Sequence, residues 1–262
     1  MYNKNFYYEL LTLAQQDLGK AHLHQHFTTA RSYVTAFGSS IDGTGTWSGQ
    51  KNGDTLVYNN GTITGTKQWV SGLELCDWMV TRVNTSNDCV FVIIDKKDII
   101  ATPVSTQGME GTLTVHFTCN QAPVRVLGSL TDPGVMPVFL GHQWGFITNQ
   151  LGLSMAAYKD INNYTKNIAF EYTKNKIRLD LEVFNLLWTN QVDNKSDQPW
   201  QVVYAFAKKV LAQIVQLTTE LTGNGLYETN LPSHQRFQDM LIYSVHMCNT
   251  SGAIKNITNW CV

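Results

Sequence analysis

Helical periodicity opens and closes this sequence but is missing from its middle, and that order of patterns limits the folds open to it. From Phe6 to Phe37, Leu10, Leu13, Ala14, Leu18 and Ala21 recur at three- and four-residue steps, and Gly38 offers a stop. From Ser39 to Gly128 the chain turns to Thr, Val, Gly and Ile, with turn signals at short intervals. Asn52-Gly53-Asp54 and Asn59-Asn60-Gly61 read as hairpin turns, and Trp78–Val83, Val90–Ile94 and Thr112–Phe117 read as strands. Helical spacing returns near Met136. Four long helices are expected: Phe139 to Tyr158, Ile161 to Trp188, Trp200 to Leu221 and Pro232 to Cys248. Asp197-Gln198-Pro199 marks one break, and Gly223-Asn224-Gly225 ends the third helix.

The expectation is therefore an α+β chain of three parts. Residues 1–38 form a remnant N-terminal helix. Residues 39–135 form an antiparallel β-barrel or sandwich. Residues 136–262 form an antiparallel four-helix bundle, since long helices with short connections pack that way. No strand–glycine–helix unit occurs, so a Rossmann sheet is excluded. Gly43-Thr44-Gly45 precedes no helix and carries no phosphate-loop lysine, so it reads as a turn.

A net charge of −1 supplies no field for nucleic acid or an anionic membrane surface. The five cysteines, Cys76, Cys89, Cys119, Cys248 and Cys261, are odd in number, and no two stand as Cys-x-x-Cys. Buried or incidental thiols are expected rather than a disulfide framework. The opening MYNKNFYYELL lacks the apolar run of a signal peptide, and no stretch approaches the roughly 20 apolar residues of a membrane span. A cytoplasmic protein without membrane partners is expected. His22 and His26 share a helix face, but no Glu or third spaced ligand accompanies them, so no metal is expected.

Gly65-Thr66-Lys67-Gln68-Trp69-Val70-Ser71-Gly72 is the sharpest local motif. It resembles the G-x-K-x-W-I-[TS] strand of the acyl-CoA dehydrogenase-like flavoprotein superfamily. Further segments follow that family's order. They are Gly108-Met109-Glu110-Gly111-Thr112, Val126-Leu127-Gly128, Asn149-Gln150-Leu151-Gly152, and Gly223-Asn224-Gly225 with Tyr227, Pro232, Arg236 and Asp239. Upstream, Asp17-Leu18-Gly19 with His26 resembles the helix that closes the family's N-terminal part. The chain is thus similar to a shortened member.

The resemblance implies FAD as cofactor, or a site from which it has been lost. Trp69, Val70 and Ser71 would contact the flavin ring. Its apolar wall and hydrogen-bond donors would stabilise charge on the reduced cofactor. Trp47 and Ser48, with Gln50, stand where longer members carry TEPxAGSD. The family's RxxFG arginine has no counterpart, Lys174, Lys176 and Arg178 lying in that region without the spacing. Met247 falls at the usual catalytic Glu position, and a thioether cannot abstract a proton. Some relatives place the base on the first bundle helix, which puts it near His142, where a neutral imidazole could serve. The implied function is α,β-dehydrogenation of an acyl-CoA or similar small molecule. One alternative is a flavin-dependent monooxygenase of the same fold, toward which His246 points. Another is a non-catalytic scaffold paired with a full-length relative. A homodimer or homotetramer is expected from the apolar residues on several faces of the bundle helices.

Overall fold

The computed structural model describes residues 2–49, 53–85, 89–105, 108–164, 168–194, 200–222 and 232–246. It divides into two compact units. The first comprises Met1–Phe6, Gly19–Thr106 and Glu110–Gly145; the second comprises Tyr7–Leu18, Gln107–Met109 and Phe146–Val262.

The N-terminal periodicity makes two helices, α1 (Lys4–Gln16) and α2 (Leu18–Ala36), rather than one. Asp17 stands at the break, and Asp is favoured where a helix starts. Seven strands follow: β1 (Gly45–Ser48), β2 (Val57–Asn59), β3 (Thr62–Val70), β4 (Trp78–Asn84), β5 (Cys89–Asp95), β6 (Ile100–Pro103) and β7 (Val115–Ser129). They form one sheet ordered β1-β4-β2-β3-β7-β5, with β6 on β7. Because β4 also pairs with β5, the sheet returns on itself. That ring is completed on the β2 side by the single pair Val57↔Asn84. The β1–β4 and β2–β4 pairings are parallel, so the antiparallel barrel or sandwich expected is a loosely closed mixed sheet.

The strand sequences show why. CVFVIID is a near-continuous apolar run and WMVTRVN is buried at every position but Arg82 and Asn84, because both strands are covered on both faces. Met79, Val83, Val92 and Ile94 join Ile63, Val70, Val115 and Phe117 inside the sheet. Phe91, on the opposite face, packs against Tyr33 of α2, against Phe37 just beyond its end and against Trp47.

The β2–β3 hairpin forms as expected, with Asn60 and Gly61 both at positive φ, as a tight primed turn requires. No hairpin forms at Gly53-Asp54, since β1 and β2 both border β4 and not each other; Asn52 lies outside the described residues. The strand expected over Thr112–Phe117 begins only at Val115. Met109 and Leu113 both have positive φ, and Glu110–Thr112 forms a 3-10 turn. β7 takes a left-handed residue at Gln121 (φ 50); its stretch from Val115 to Pro123 pairs with β3 and that from Val124 to Ser129 with β5.

The long helices are α3 (Val135–Tyr164), α4 (Ile168–Asn194), α5 (Trp200–Thr222) and α6 (Pro232–His246). α3 runs through the break expected near Tyr158. Ile161 there is buried and Asp160 pairs with Arg236 of α6, so tertiary contact continues the helix. Within the second unit the helices run antiparallel. Thr148 and Tyr158 of α3 meet Trp188 and Lys174 of α4, and Asp180 and Phe184 of α4 meet Lys209 and Phe206 of α5. The bundle is not made of these helices alone. Tyr8 of α1 stacks edge-on against Trp188 at 5.1 Å, and Gly152 of α3 faces Leu11 and Ala14. The Asp197–Pro199 break, Gly223–Gly225, Tyr227 and Cys248 lie outside the described residues.

Candidate cofactor site

The end of β3 departs from strand geometry where the motif places its aromatic residue. The register against β7 shifts between Lys67 and Val70, and Trp69 takes φ 58. A bulky residue in the left-handed region costs about 1–3 kcal/mol. The indole is 41% exposed, and its one described ring contact is an edge-on approach to His116 at 5.3 Å. The strain therefore turns a large apolar ring outward. Val70 returns to the sheet core with its side chain fully buried, leaving only its backbone to face a ligand.

Ser71 is buried again. Its Oγ lies 3.3 Å from His22 Nε2 and 3.3 Å from Thr114 Oγ1, and Thr114 bonds Thr112 at 2.7 Å. The Ser71 carbonyl accepts from Thr46 Oγ1 at 2.7 Å. Behind β3, Lys67 is fully buried. Its Nζ donates to Asp54 Oδ2 and to the Gly49 carbonyl, both at 2.8 Å, while Asp54 Oδ1 accepts the Gln68 N–H. Burial lowers the lysine pKa, and the facing Asp54 carboxylate opposes that shift. Gly65 permits the close strap. At φ 129 it lies so near Thr55 that an added Cβ would meet the Thr55 carbonyl oxygen at 2.3 Å.

His22 leads to the other sequence-selected residues. Its ring lies 4.2 Å from that of His26, one helical turn along α2, and His26 Nδ1–H donates to the Trp47 carbonyl at 2.7 Å. Trp47 is buried, with Tyr33 at 4.6 Å, Phe91 at 5.8 Å and His142 at 6.4 Å. Its ring is committed to the core between α2 and the sheet. Ser48 is buried too; its carbonyl accepts from Thr81, and its Oγ has no hydrogen-bond partner among the described residues.

His142 sits on α3 against α2, 5.4 Å from His26 by ring centroids. Gly145 on the same helix lets Gln25 approach, since a Cβ there would meet its side chain at 2.9 Å. Gln25 Nε2 donates to the His142 carbonyl at 2.8 Å. Thr29 Oγ1 donates to the Gln25 carbonyl and lies 2.8 Å from His142 Nδ1. Gln25 Nε2 also lies 3.2 Å from Nδ1 but donates at the shorter 2.8 Å to the His142 carbonyl, so we assign the Nδ1 hydrogen to Thr29 and the lone pair to Nε2.

Ser71, Trp47 and His142 are thus linked through His22 and His26, while Trp69 stands apart beside His116. The i, i+4 spacing of His22 and His26 announced a shared helix face but not what that face meets. His116, Thr114 and Thr29 carry no sequence signal. Among the described residues no group of His, Cys, Asp and Glu is placed to hold a metal, and no helix is long and apolar enough to cross a membrane. Lys174 pairs with Glu171 at 2.8 Å and Arg178 with Glu182 at 2.6 Å, so both are engaged on α4 itself. Gln50, Met247 and the His246 side chain lie outside the described residues.

No protein-family model matches the sequence, and no curated protein matches it. Solved structures do. Butyryl-CoA dehydrogenase from Megasphaera elsdenii superposes with a TM-score of 0.79 at 13% identity, over 94% of this chain and 78% of that one. Glutaryl-CoA dehydrogenase from Mycobacterium smegmatis, in complex with FADH2, gives 0.77 at 11% identity, over 92% and 75%. TdsC from Paenibacillus sp. A11-2, in complex with FMN and indole, gives 0.70 at 16% identity, over 99% and 83%. The fold is that of acyl-CoA dehydrogenases and related flavoproteins, as the ordered motifs implied.

Proposed function

We propose that this chain is a flavin-dependent oxidoreductase of acyl-CoA dehydrogenase type, binding FAD and oxidising an acyl thioester between Cα and Cβ. Trp69 is the observation that carries the reading. An indole that takes a strained backbone and stays 41% exposed returns little packing for its cost, but it suits a site that needs a flat apolar wall. The buried Ser71 hydroxyl two residues on fits the polar edge of the same ring. Trp47 and Ser48 would act from behind, Trp47 through packing and its carbonyl. Flavin, when bound, supplies the hydride acceptor. The chain's own residues exclude water, orient the thioester and take the α-proton. His142 Nε2 is our candidate for that proton, its ring fixed by Thr29 at Nδ1. A monooxygenase reading keeps the same wall and uses reduced flavin with oxygen. An imidazole in place of a carboxylate base favours it, as does the 99% coverage by TdsC.

Trp69→Gly separates a cofactor role from a structural one because the two predict opposite signs. Relief of the left-handed strain should stabilise the flavin-free protein by about 1 kcal/mol. Loss of the indole should weaken FAD binding by about 2 kcal/mol, roughly thirtyfold in Kd. Urea unfolding and fluorescence titration measure the pair. Unchanged FAD affinity would remove Trp69 from the site.

The assembly we propose is a homo-oligomer joined through α4. Tyr172, Leu179, Val183 and Leu186 recur at steps of about seven, four and three residues. They are exposed, Tyr172 to 80% and Leu186 to 67%. A second α4 laid antiparallel brings its Glu182 toward Arg178 and its Arg178 toward Glu182, so the stripe is self-complementary in charge as well as apolarity. Leu186→Glu enters a twofold interface twice. It should cost about 3 kcal/mol, over a hundredfold in dimer Kd. Sedimentation velocity at micromolar concentration should show a dimer or larger for the wild type and a monomer for the variant; a wild-type monomer would refute the interface.

A further inference from the structure

Resting on the flavin reading above, we infer that His22 is a positioning residue for that site, acting through Ser71. The Ser71 hydroxyl has one hydrogen and two lone pairs. Two neighbours compete for them, His22 Nε2 and Thr114 Oγ1, each at 3.3 Å. Thr114 is itself bonded to Thr112 at 2.7 Å, so the four side chains form a chain: Thr112, Thr114, Ser71, His22. An N–H on His22 Nε2 fills a lone pair of Ser71 and frees its hydrogen for an acceptor beyond the chain. A bare Nε2 takes that hydrogen instead and turns the hydroxyl inward. The Ser71 backbone is pinned independently, by Thr46 on its carbonyl. His22 therefore governs the direction of the hydroxyl without being needed to hold the residue.

His22 is held in turn. Its ring lies 4.2 Å from that of His26, tilted by 38°, and His26 is anchored to the Trp47 carbonyl at 2.7 Å. An imidazole on an apolar helix face is most often a core residue with its hydrogen bonds met. What sets His22 apart is its partner: a hydroxyl two residues beyond a strained, outward-turned tryptophan.

A hydroxyl that donates to the ring stabilises negative charge on the reduced flavin more than the oxidised form. Orientation by His22 should therefore appear in the reduction potential and the visible band as well as in affinity. His22→Asn ends its amide short of Ser71, whereas His22→Gln carries an N–H near the Nε2 position. With FAD as the probe, His22→Asn should raise Kd about tenfold, the equivalent of one lost hydrogen bond. It should also lower the midpoint potential and alter the shape of the visible band. His22→Gln should restore all three. In a Ser71→Ala background, His22→Asn should add nothing, since both changes break the same link. Additive effects, or a potential and spectrum unmoved by His22→Asn, would overturn the role of His22 and leave the flavin reading standing. A wild-type protein that takes up no FAD would overturn both, and the missing chromophore identifies that case.

Discussion

Lys67→Met should destabilise the protein by about 3–5 kcal/mol, because it removes the cationic partner of a carboxylate that the fold has taken out of water. The Asp54 side chain is 3% exposed and its ammonium partner is fully buried. Without Lys67, Asp54 still accepts the Gln68 N–H but has lost the ammonium that balances its charge. The double variant Lys67→Met with Asp54→Asn should recover most of the loss, since the amide oxygen still accepts from Gln68 and no charge remains. Urea unfolding measures both, and an equally unstable double variant would mean that packing, not charge, sets the cost. The pH dependence has a definite sign. Burial lowers the Lys67 pKa in the folded state, so between that value and the ordinary lysine value of about 10.4 the folded chain holds fewer protons than the unfolded one. Wild-type stability should therefore gain relative to Lys67→Met as pH rises through that window. Loss of Lys67 should also free the Gly49 carbonyl from β3, the strand that carries Trp69.

His142→Ala should slow reduction of the bound flavin by an acyl-CoA by a factor of about 10² to 10⁴, the usual contribution of a general base. Flavin content should not change, because His142 is held by Gln25 and Thr29 of α2 and meets Trp47 and His26 through ring edges. Thr29→Val tests the same assignment from the other side. It keeps the shape of Thr29 but removes the acceptor at Nδ1, so the imidazole loses its fixed tautomer and the rate should fall while Trp69 stays in place. Anaerobic stopped-flow at 450 nm reads the rate, and the same spectrum reads flavin content. A loss of flavin with His142→Ala would make His142 structural. An unchanged rate would remove His142 from the role of base.

Much of this fold was legible because its periods are strong. The apolar runs of β4 and β5, the Asn60-Gly61 turn and the long helices each follow from local pattern. The misread features depend on contacts distant in sequence. α3 continues past Tyr158 because Asp160 meets Arg236 and Ile161 is buried. β1 pairs in parallel with β4 because its neighbour in space is not its neighbour in sequence. The site divides in the same way. The motif singled out Trp69 and Ser71 but carried no sign that one faces outward and the other is buried, since a bulge and a left-handed backbone do not show in composition. His22 and His26 were seen as a helix face, and only the tertiary structure gives that face Ser71 and the Trp47 carbonyl as partners. His116 lies on β7 and Thr114 just before it, where the local pattern distinguishes them from no other alternating polar residue.

The most direct test of the central claim is the visible spectrum of the purified protein after FAD is added and free cofactor removed, recorded before and after anaerobic addition of a short-chain acyl-CoA. The account predicts a protein-bound band near 450 nm, at about one flavin per chain, that bleaches with the thioester. A protein that retains neither FAD nor FMN at high micromolar concentration would contradict it.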